Sequence, residues 1–268
     1  MVYSFVKRES FSILKCDKCG SVEIKFLRQI FIFITSSHFH ITLYRHKPSD
    51  STSLRSNEIL SLHEDKAGNL WVGTSGGSLS LYDRKKDRFI NFPAGKVANS
   101  IDNNVIRGIC SDYLGKIWIA HFTGINILDP VTKRVDRFSF SSDKSGAFTS
   151  KKCISVYEDS RHHMWIGTTE GLFRYQPENK SLMKFNHSSQ NPASLSGNNI
   201  NAITEDKRGN IWVGTNGGLS LMKPGSNNFI NYQKSTNCSN NWKYKCRSSY
   251  NYSIDFIRFR NKYFFCAI

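Results

Sequence analysis

No run of 18 apolar residues occurs in this chain of 268, so no segment is expected to cross a bilayer as a helix. The nearest approach to an export signal, KFLRQIFIFITSS at 25–37, begins too deep in the chain and has too short an apolar stretch to be read as one. Cysteine is sparse and unpatterned. Cys16, Cys19, Cys110, Cys153, Cys238, Cys246 and Cys266 form an odd, scattered set that does not read as a disulfide framework. CDKC at 16–19 has the spacing of half a zinc knuckle, but no second pair follows at a suitable distance, and no metal site is expected there. Cys110 and Cys153 fall in strand-like runs and read as small buried residues. Acidic residues are also few, 21 Asp and Glu against 37 Lys and Arg, for a net charge of +16. Such a charge raises nucleic acid or an acidic surface as a partner. Its location argues otherwise, because the last 35 residues carry 7 basic against 1 acidic, while residues 54–233 carry 22 against 16 with both signs interspersed. No basic run interleaved with stacking aromatics occurs in that middle region, so nucleic acid is not an expected partner.

What is present is a repeat. EDKRGNIWVGTNGGLSLMKPGSNNFINY at 205–232 restates EDKAGNLWVGTSGGSLSLYDRKKDRFINF at 64–92. Trp71, Trp118, Trp165 and Trp212 are each 47 residues apart. Six residues before each stands an aspartate, Asp65, Asp112, Asp159 and Asp206. Two residues after each comes Gly73, Ala120 as a stand-in, Gly167 or Gly214, and six after comes Gly77, Gly124, Gly171 or Gly218. A motif that recurs at fixed period marks an architecture before it marks an active site.

Each period reads as four short strands with turn chemistry between them. The first, as in EILSLHED or INAITEDK, carries two apolar columns, Ile59, Ile106, Cys153 and Ile200, then Leu62, Ile109, Val156 and Ile203. Between them runs a column of small residues, Ser61, Gly108, Ser155 and Ala202, which predicts an innermost strand crowding toward a common axis. The turn DKAGN or DKRGN, with Gly209 in the last copy, pairs an aspartate that can accept backbone N–H bonds with a glycine free to take positive φ. A second strand holds the tryptophan, a third follows the glycine turn, and a fourth bears Phe89 and Phe92, Val135 and Phe138, Leu182 and Phe185, or Phe229 and Tyr232. Four antiparallel strands per 47 residues is the size of one β-propeller blade. The tryptophans accordingly read as filler between neighbouring sheets, and the aspartates and glycines as structural positions. HITLYRHKPSDSTSL at 40–54 aligns with SLMKFNHSSQNPASL at 181–195, placing Tyr44 under Phe185 and His46 under His187, so the chain enters in the last strand of a preceding blade.

The phrase I-x-x-I-x-E-D-x-x-G-x-[IL]-W-[IV]-G-T-x-x-G-L, followed by an F-x-x-[FY] strand, resembles the two-component regulator propeller repeat. INAITEDKRGNIWVGTNGGL at 200–219 carries it almost in full, and SLSGNNI at 194–200 resembles its lead-in. The resemblance covers about 195 of the 268 residues. It implies the periplasmic sensor region of a hybrid two-component histidine kinase, in which such repeats commonly build two seven-bladed propellers followed by a small β-sandwich, a membrane helix and kinase modules, and which typically senses oligosaccharides. Two copies depart from the pattern, the second with WIAHFTG and the third with DSRHHMW, which lacks the turn glycine. Nothing after residue 233 resembles the β-sandwich or a kinase motif, so kinase activity is not expected of this chain. The flanks, rich in Lys, Asn, Tyr, Ser and Phe, have the composition of an A/T-rich frame read out of register.

The expected architecture is all-β: a β-propeller of four complete four-stranded antiparallel blades over 39–233, forming an incomplete, open arc. Residues 1–38 are expected to be a poorly ordered flank and 234–268 a basic tail. The expected function is a ligand-sensing module without catalytic residues, metal or cofactor, whose partner is an oligosaccharide or another extracellular ligand. Exposed blade edges are expected to promote self-association. The connections GKVANSIDN at 95–103, SSDKSGAFTSK at 141–151 and SSQNPASLSGN at 188–198 are the candidate binding stretches, with no individual ligand-binding residue identified. A protein-interaction propeller is the alternative, and a glycosidase or lyase on the same scaffold a further one. Glycosidases need two carboxylates opposed across a site, but Glu64-Asp65, Glu158-Asp159 and Glu205-Asp206 recur in register as turn residues, and His162-His163 lacks metal-ligand partners at sensible spacing.

Overall fold

In the computed structural model of the protein, residues 44–97, 99–139 and 152–232 are described in full, together with the backbone of four strands in the flanks. CDKC at 16–19 and the candidate stretch 141–151 lie outside the fully described residues. The flanking strands are β1 (Ser12–Cys16) and β2 (Gly20–Ile24), an antiparallel pair. Four further antiparallel sheets follow in chain order. Blade I holds β3 (Ile59–Glu64), β4 (Leu70–Thr74), β5 (Leu79–Asp83) and β6 (Arg88–Phe92). Blade II holds β7 (Ile106–Ser111), β8 (Ile117–His121), β9 (Gly124–Leu128) and β10 (Val135–Arg137). Blade III holds β11 (Cys153–Glu158), β12 (Met164–Thr168), β13 (Gly171–Gln176) and β14 (Ser181–Phe185). Blade IV holds β15 (Ile200–Glu205), β16 (Ile211–Thr215), β17 (Gly218–Met222) and β18 (Phe229–Tyr232). A second antiparallel pair, β19 (Ile254–Phe259) and β20 (Lys262–Ala267), lies in the C-terminal flank. Within every blade each strand pairs with the next, so the chain meanders through four separate sheets. It divides into two compact units, residues 1–137 with blades I and II and residues 138–268 with blades III and IV.

The blades stack because each sheet is apolar on both faces. In the first unit Trp71, Leu79 and Leu81 of blade I form one core with Ile106, Ile109, Ile117, Ile119 and Leu128 of blade II. In the second, Trp165, Leu172 and Phe185 of blade III do the same with Ile200, Ile211, Val213, Met222 and Phe229 of blade IV. Trp71 and Trp165 are 0% and 1% exposed, whereas Trp212 of the last blade is half-buried. Tyr44, just before blade I, sits edge-on to Phe89 at 5.5 Å, as Phe185 sits edge-on to Phe229 at 5.6 Å. It therefore occupies the place that the alignment with Phe185 gave it.

The small-residue column sits at a break in the register of each first strand. All four first strands carry a β-bulge, so that Ile59 faces Thr74 but Ser61 already faces Gly73, and likewise in the other copies. A Cβ on Gly73 would lie 2.2 Å from Ser61 Oγ and 2.7 Å from Ile106 Cγ2, and one on Gly167 would meet Ser155 and Ile200 at the same distances. Small residues are thus required on both members of the pair where a second strand meets its own first strand and the next blade. Blade II exchanges the two roles, setting Gly108 opposite Ala120. Blade IV sets Ala202 opposite Gly214.

The alignment of Gly77 with Gly124, Gly171 and Gly218 is also corrected. Blade I has one more residue in its second turn, since Trp71 pairs with Leu81 but Trp165 with Arg174. Gly124, Gly171 and Gly218 take φ of +139, +128 and +138, while Gly77 does not take a positive φ and Ser78 does, at +67. Gly77 answers instead to Gly217: a Cβ on it would come within 2.9 Å of the backbone at Arg55 and Ser56, as one on Gly217 would strike the backbone of Ser196.

Candidate functional site

The two ends of each blade have different chemistry. At one end lie the turns joining first to second and third to fourth strands. There the aspartate column does two jobs. Asp65 Oδ1 accepts from the backbone of Ala67 and Asn69, and its Oδ2 accepts the Trp71 indole N–H at 2.9 Å. Asp112 with Trp118, Asp159 with Trp165 and Asp206 with Trp212 repeat the indole bond at 2.9, 2.8 and 3.0 Å. The aspartates therefore satisfy both the turn and the polar edge of a buried ring. Burial pulls the Asp65 carboxyl upward, but the bonds from Trp71 and Asn69 outweigh it and hold it below the usual carboxylate range; Asp206 behaves likewise. The six-residue offset between Asp and Trp was the signal for this bond, and sequence reasoning saw the offset without its purpose. In the turn itself Gly68, Gly115 and Gly209 have φ of +81, +81 and +76, and His162 takes the same place in blade III at +65.

The acidic residues beside these aspartates are bound into the same end. Glu64 pairs with Arg84 at 2.8 Å, Glu205 of blade IV accepts from Ser160 of blade III through both oxygens, and Glu158 stands 3.4 Å from His162 Nδ1. His163 Nδ1 lies 3.0 Å from Asp159 Oδ2. Among the described residues no group of three or more His, Cys, Asp or Glu is placed to hold a metal ion. Cys110 and Cys153 are buried, and burial pushes the Cys153 thiol up to about 12.

At the opposite end lie the second turn of each blade and the lead-in from the blade before. The candidate stretch 188–198 is a built connection, and residues 47–57 repeat its main bonds. His187 and His46 use Nδ1 to meet the carbonyls of Leu195 and Leu54, each at 2.6 Å. Asn198 and Asn57 accept the backbone N–H of His187 and His46, each at 2.7 Å. The lead-in is then clamped to its own blade: Asn231 Nδ2 donates to the carbonyls of Pro192 and Ser194, while its Oδ1 accepts from Ser220 Oγ. Asn91 and Ser80 hold Ser51 and Ser53 in the same way. In blade IV Ser196 Oγ completes the clamp on Thr215 and Ser220. In the candidate stretch 95–103, Gly95 donates to the Ile101 carbonyl, and Ile101 is buried in the core between blades I and II.

Blade II builds this clamp from larger, more polar groups. Asp102, His121, Asn126 and Arg137 stand where blade IV has Ser196, Thr215, Ser220 and Asn231. His121 and Asn126 are fully buried, and Nε2 of the histidine lies 2.8 Å from Asn126 Oδ1. Asn126 Nδ2 donates to Asp102 Oδ2 at 3.1 Å, and Arg137 Nε donates to Asp102 Oδ1 at 2.8 Å. On its other side His121 Nδ1 accepts from the Thr123 N–H at 3.3 Å and faces Thr123 Oγ1 at 3.0 Å. These contacts fit a neutral ring with its proton on Nε2, and burial lowers the His121 pKa accordingly. Between His121 and Thr123 the turn carries Phe122, and Arg107, the bulge residue of β7, sets its guanidinium carbon 4.7 Å from the ring centroid.

Residues 53–76 and 194–217 match the family model described as Two component regulator propeller. No curated protein sequence matches the chain. Among solved structures it is similar to the extracellular domain of a protein described as a hybrid two component system from B. thetaiotaomicron, with 26% identity over 68% of this chain and a TM-score of 0.57. It spans 23% of that domain's length. It is also similar in fold to virginiamycin B lyase from Staphylococcus aureus, with 14% identity, 84% of this chain and 70% of that one covered, and a TM-score of 0.57. An aspartate that caps the turn and holds the tryptophan of its own blade recurs in all four sheets, and two of the four match the family model directly. The two-component regulator propeller repeat thus stands in blades I and IV, and blades II and III share its aspartate-to-indole bond.

Proposed function

We propose that the chain is the ligand-sensing propeller module of a two-component signal transduction receptor, working outside the cytoplasm, with an oligosaccharide as its ligand. The observation that carries this reading is the pair of family matches at 53–76 and 194–217 together with the likeness to the extracellular domain of a hybrid two component system. The division of labour between blade ends supports it. The aspartate of each blade is taken up by turn and indole bonds, whereas the second turn at the lead-in end differs between copies, as Ser75-Gly76-Gly77, Phe122-Thr123, Thr169-Glu170 and Asn216-Gly217. Rigid scaffold with variable loops is the arrangement in which binding residues are found.

The test is a panel of neutral and acidic oligosaccharides against the full chain, read by glycan array and by thermal unfolding. The expected result is binding by a subset and a raised Tm, since a ligand at 100 times its Kd stabilises by about 2.7 kcal/mol. No binding across the panel, with a protein captured reproducibly from an extracellular fraction instead, would overturn the oligosaccharide in favour of a protein-interaction propeller.

A further inference from the structure

The groups that close the clamp at the lead-in end differ in whether they titrate. Blade I uses Thr74, Ser80 and Asn91 and blade IV uses Thr215, Ser220 and Asn231, hydroxyls and amides with no proton to gain or lose near neutral pH. Blade III has Thr168, Phe173 and Lys184 at these positions. Blade II has His121, Asn126 and Arg137, joined by Asp102 of the lead-in. Of all these groups His121 alone is of a type whose charge changes near neutral pH, and it is 0% exposed. The bonds around it fix its tautomer. Asn126 Nδ2 donates to Asp102 Oδ2, so Asn126 Oδ1 is an acceptor, and it already takes the Asp102 backbone N–H at 2.9 Å. His121 Nε2, 2.8 Å from that oxygen, therefore carries the ring proton, and Nδ1 offers the lone pair that meets Thr123 N–H and Oγ1.

We propose that protonation of His121 at mildly acid pH releases the second turn of blade II, residues 122–123, from its clamp. A second proton can enter the ring only at Nδ1. There it points at the Thr123 N–H, a donor facing a donor, and Thr123 Oγ1 has to turn from donor to acceptor. The new charge is also buried. Ile117 and Ile119, on the same face of β8, pack in the core shared with Trp71, Leu79 and Leu81 of blade I, which lines that side with hydrocarbon. The charged groups that act on the ring are Asp102 of the lead-in, which favours the imidazolium, and Arg137 of β10, which opposes it. Arg137 is itself bonded to Asp102 and offsets part of its charge, while Arg107 of β7 lies over the Phe122 ring. Burial outweighs Asn126 and Asp102 and keeps the ring neutral below the ordinary histidine range. The closed turn thus binds the proton more weakly than an open turn with a solvated ring. Opening is favoured as pH falls below about 6.5, where the solvated ring titrates, and gains nothing more once the closed ring titrates too.

The experiment is an NMR titration of the full chain between about pH 7.5 and 4.5, a range that brackets the solvated ring. It follows the His121 ring nitrogens and the hydrogen exchange of the Asp102 amide, corrected for the intrinsic rate; that amide is held by Asn126 Oδ1 and reports the clamp. His121 is expected as the Nε2–H tautomer at neutral pH, with a midpoint below about 6.5. Opening measured at Asp102 is expected to rise by about tenfold or more from about pH 7 to 5, since a solvated ring at pH 5 is about thirty parts protonated to one neutral. The combined variant Asp102→Ser, His121→Thr, Asn126→Ser and Arg137→Asn reproduces the clamp of blade IV, and exchange at position 102 in it is expected not to respond to pH. His121→Gln, which keeps a donor and an acceptor but does not titrate, is expected to behave likewise, and the titration of the parent chain needs neither variant. A midpoint at or above about 6.5, the Nδ1–H tautomer at neutral pH, or exchange at Asp102 that stays constant across the range would overturn the proposal. So would the same response to pH in His121→Gln, which would place its origin in another group.

Discussion

At the scale of single residues, the repeat makes its exceptions visible. Three aspartate turns place a glycine in the left-handed region, and the fourth places His162 there at φ +65. A side chain in that region costs about 1–2 kcal/mol relative to glycine. The contact of the exposed His162 ring with the largely buried Glu158, 3.4 Å away, returns part of this, because pairs with an exposed partner contribute about 0–1 kcal/mol. His162→Gly is therefore expected to raise unfolding free energy by about 0.5–1 kcal/mol, measured as an increased urea midpoint at unchanged slope. A lowered midpoint would show that the Glu158 contact outweighs the backbone. The sequence showed that a turn glycine was missing from DSRHHMW. The period of 47 also places His162 in the column of Gly68, Gly115 and Gly209, so the residue that takes the positive φ was legible from spacing; its contact with Glu158 was not.

At the scale of strands and blades, the period, the four-strand unit and the interblade role of Trp71 and Trp165 were legible, because they follow from spacing and side-chain size. The Ser61 and Gly73 pairing was not, since the bulge that brings them opposite each other shifts the register by one residue. Gly73→Ala should clash with Ser61 Oγ and Ile106 Cγ2, at a cost of about 1–3 kcal/mol. Ser61→Gly alone removes a 3.2 Å bond to the Ile106 carbonyl, worth about 1 kcal/mol. The double variant reproduces the Gly108 and Ala120 pair of blade II and should lose less stability than the two single losses combined, by about 0.5 kcal/mol or more. Strict additivity in chemical denaturation would mean that the exchange in blade II is not a compensation. The polar cluster of that blade was legible only as a departure, WIAHFTG. Its members lie at 102, 121, 126 and 137, too far apart in sequence for spacing to join them.

At the scale of the whole molecule, what governs behaviour is the face that a further blade would cover. Leu79 and Leu172 are fully buried at the contact with the next blade, whereas Leu219 at the same position of blade IV is half-buried and Tyr232 is 49% exposed. Trp212 and Tyr232 stack at 5.9 Å on that face, much as Trp165 and Phe185 stack at 5.9 Å where blade IV covers them. The two faces share one chemistry and differ in their cover, and a blade face bearing Trp, Leu and an aromatic is selected to meet another sheet. The chain on its own is therefore expected to associate, with a sedimentation coefficient that rises between about 1 and 100 µM, the range in which exposed apolar surface drives association. Tyr232→Lys places a charge on the face at an exposed position and is expected to shift the rise to higher concentration without lowering the Tm. A single sedimenting species across that range for the parent chain would show that this face is already covered in solution, and Tyr232→Lys should then lower the Tm instead.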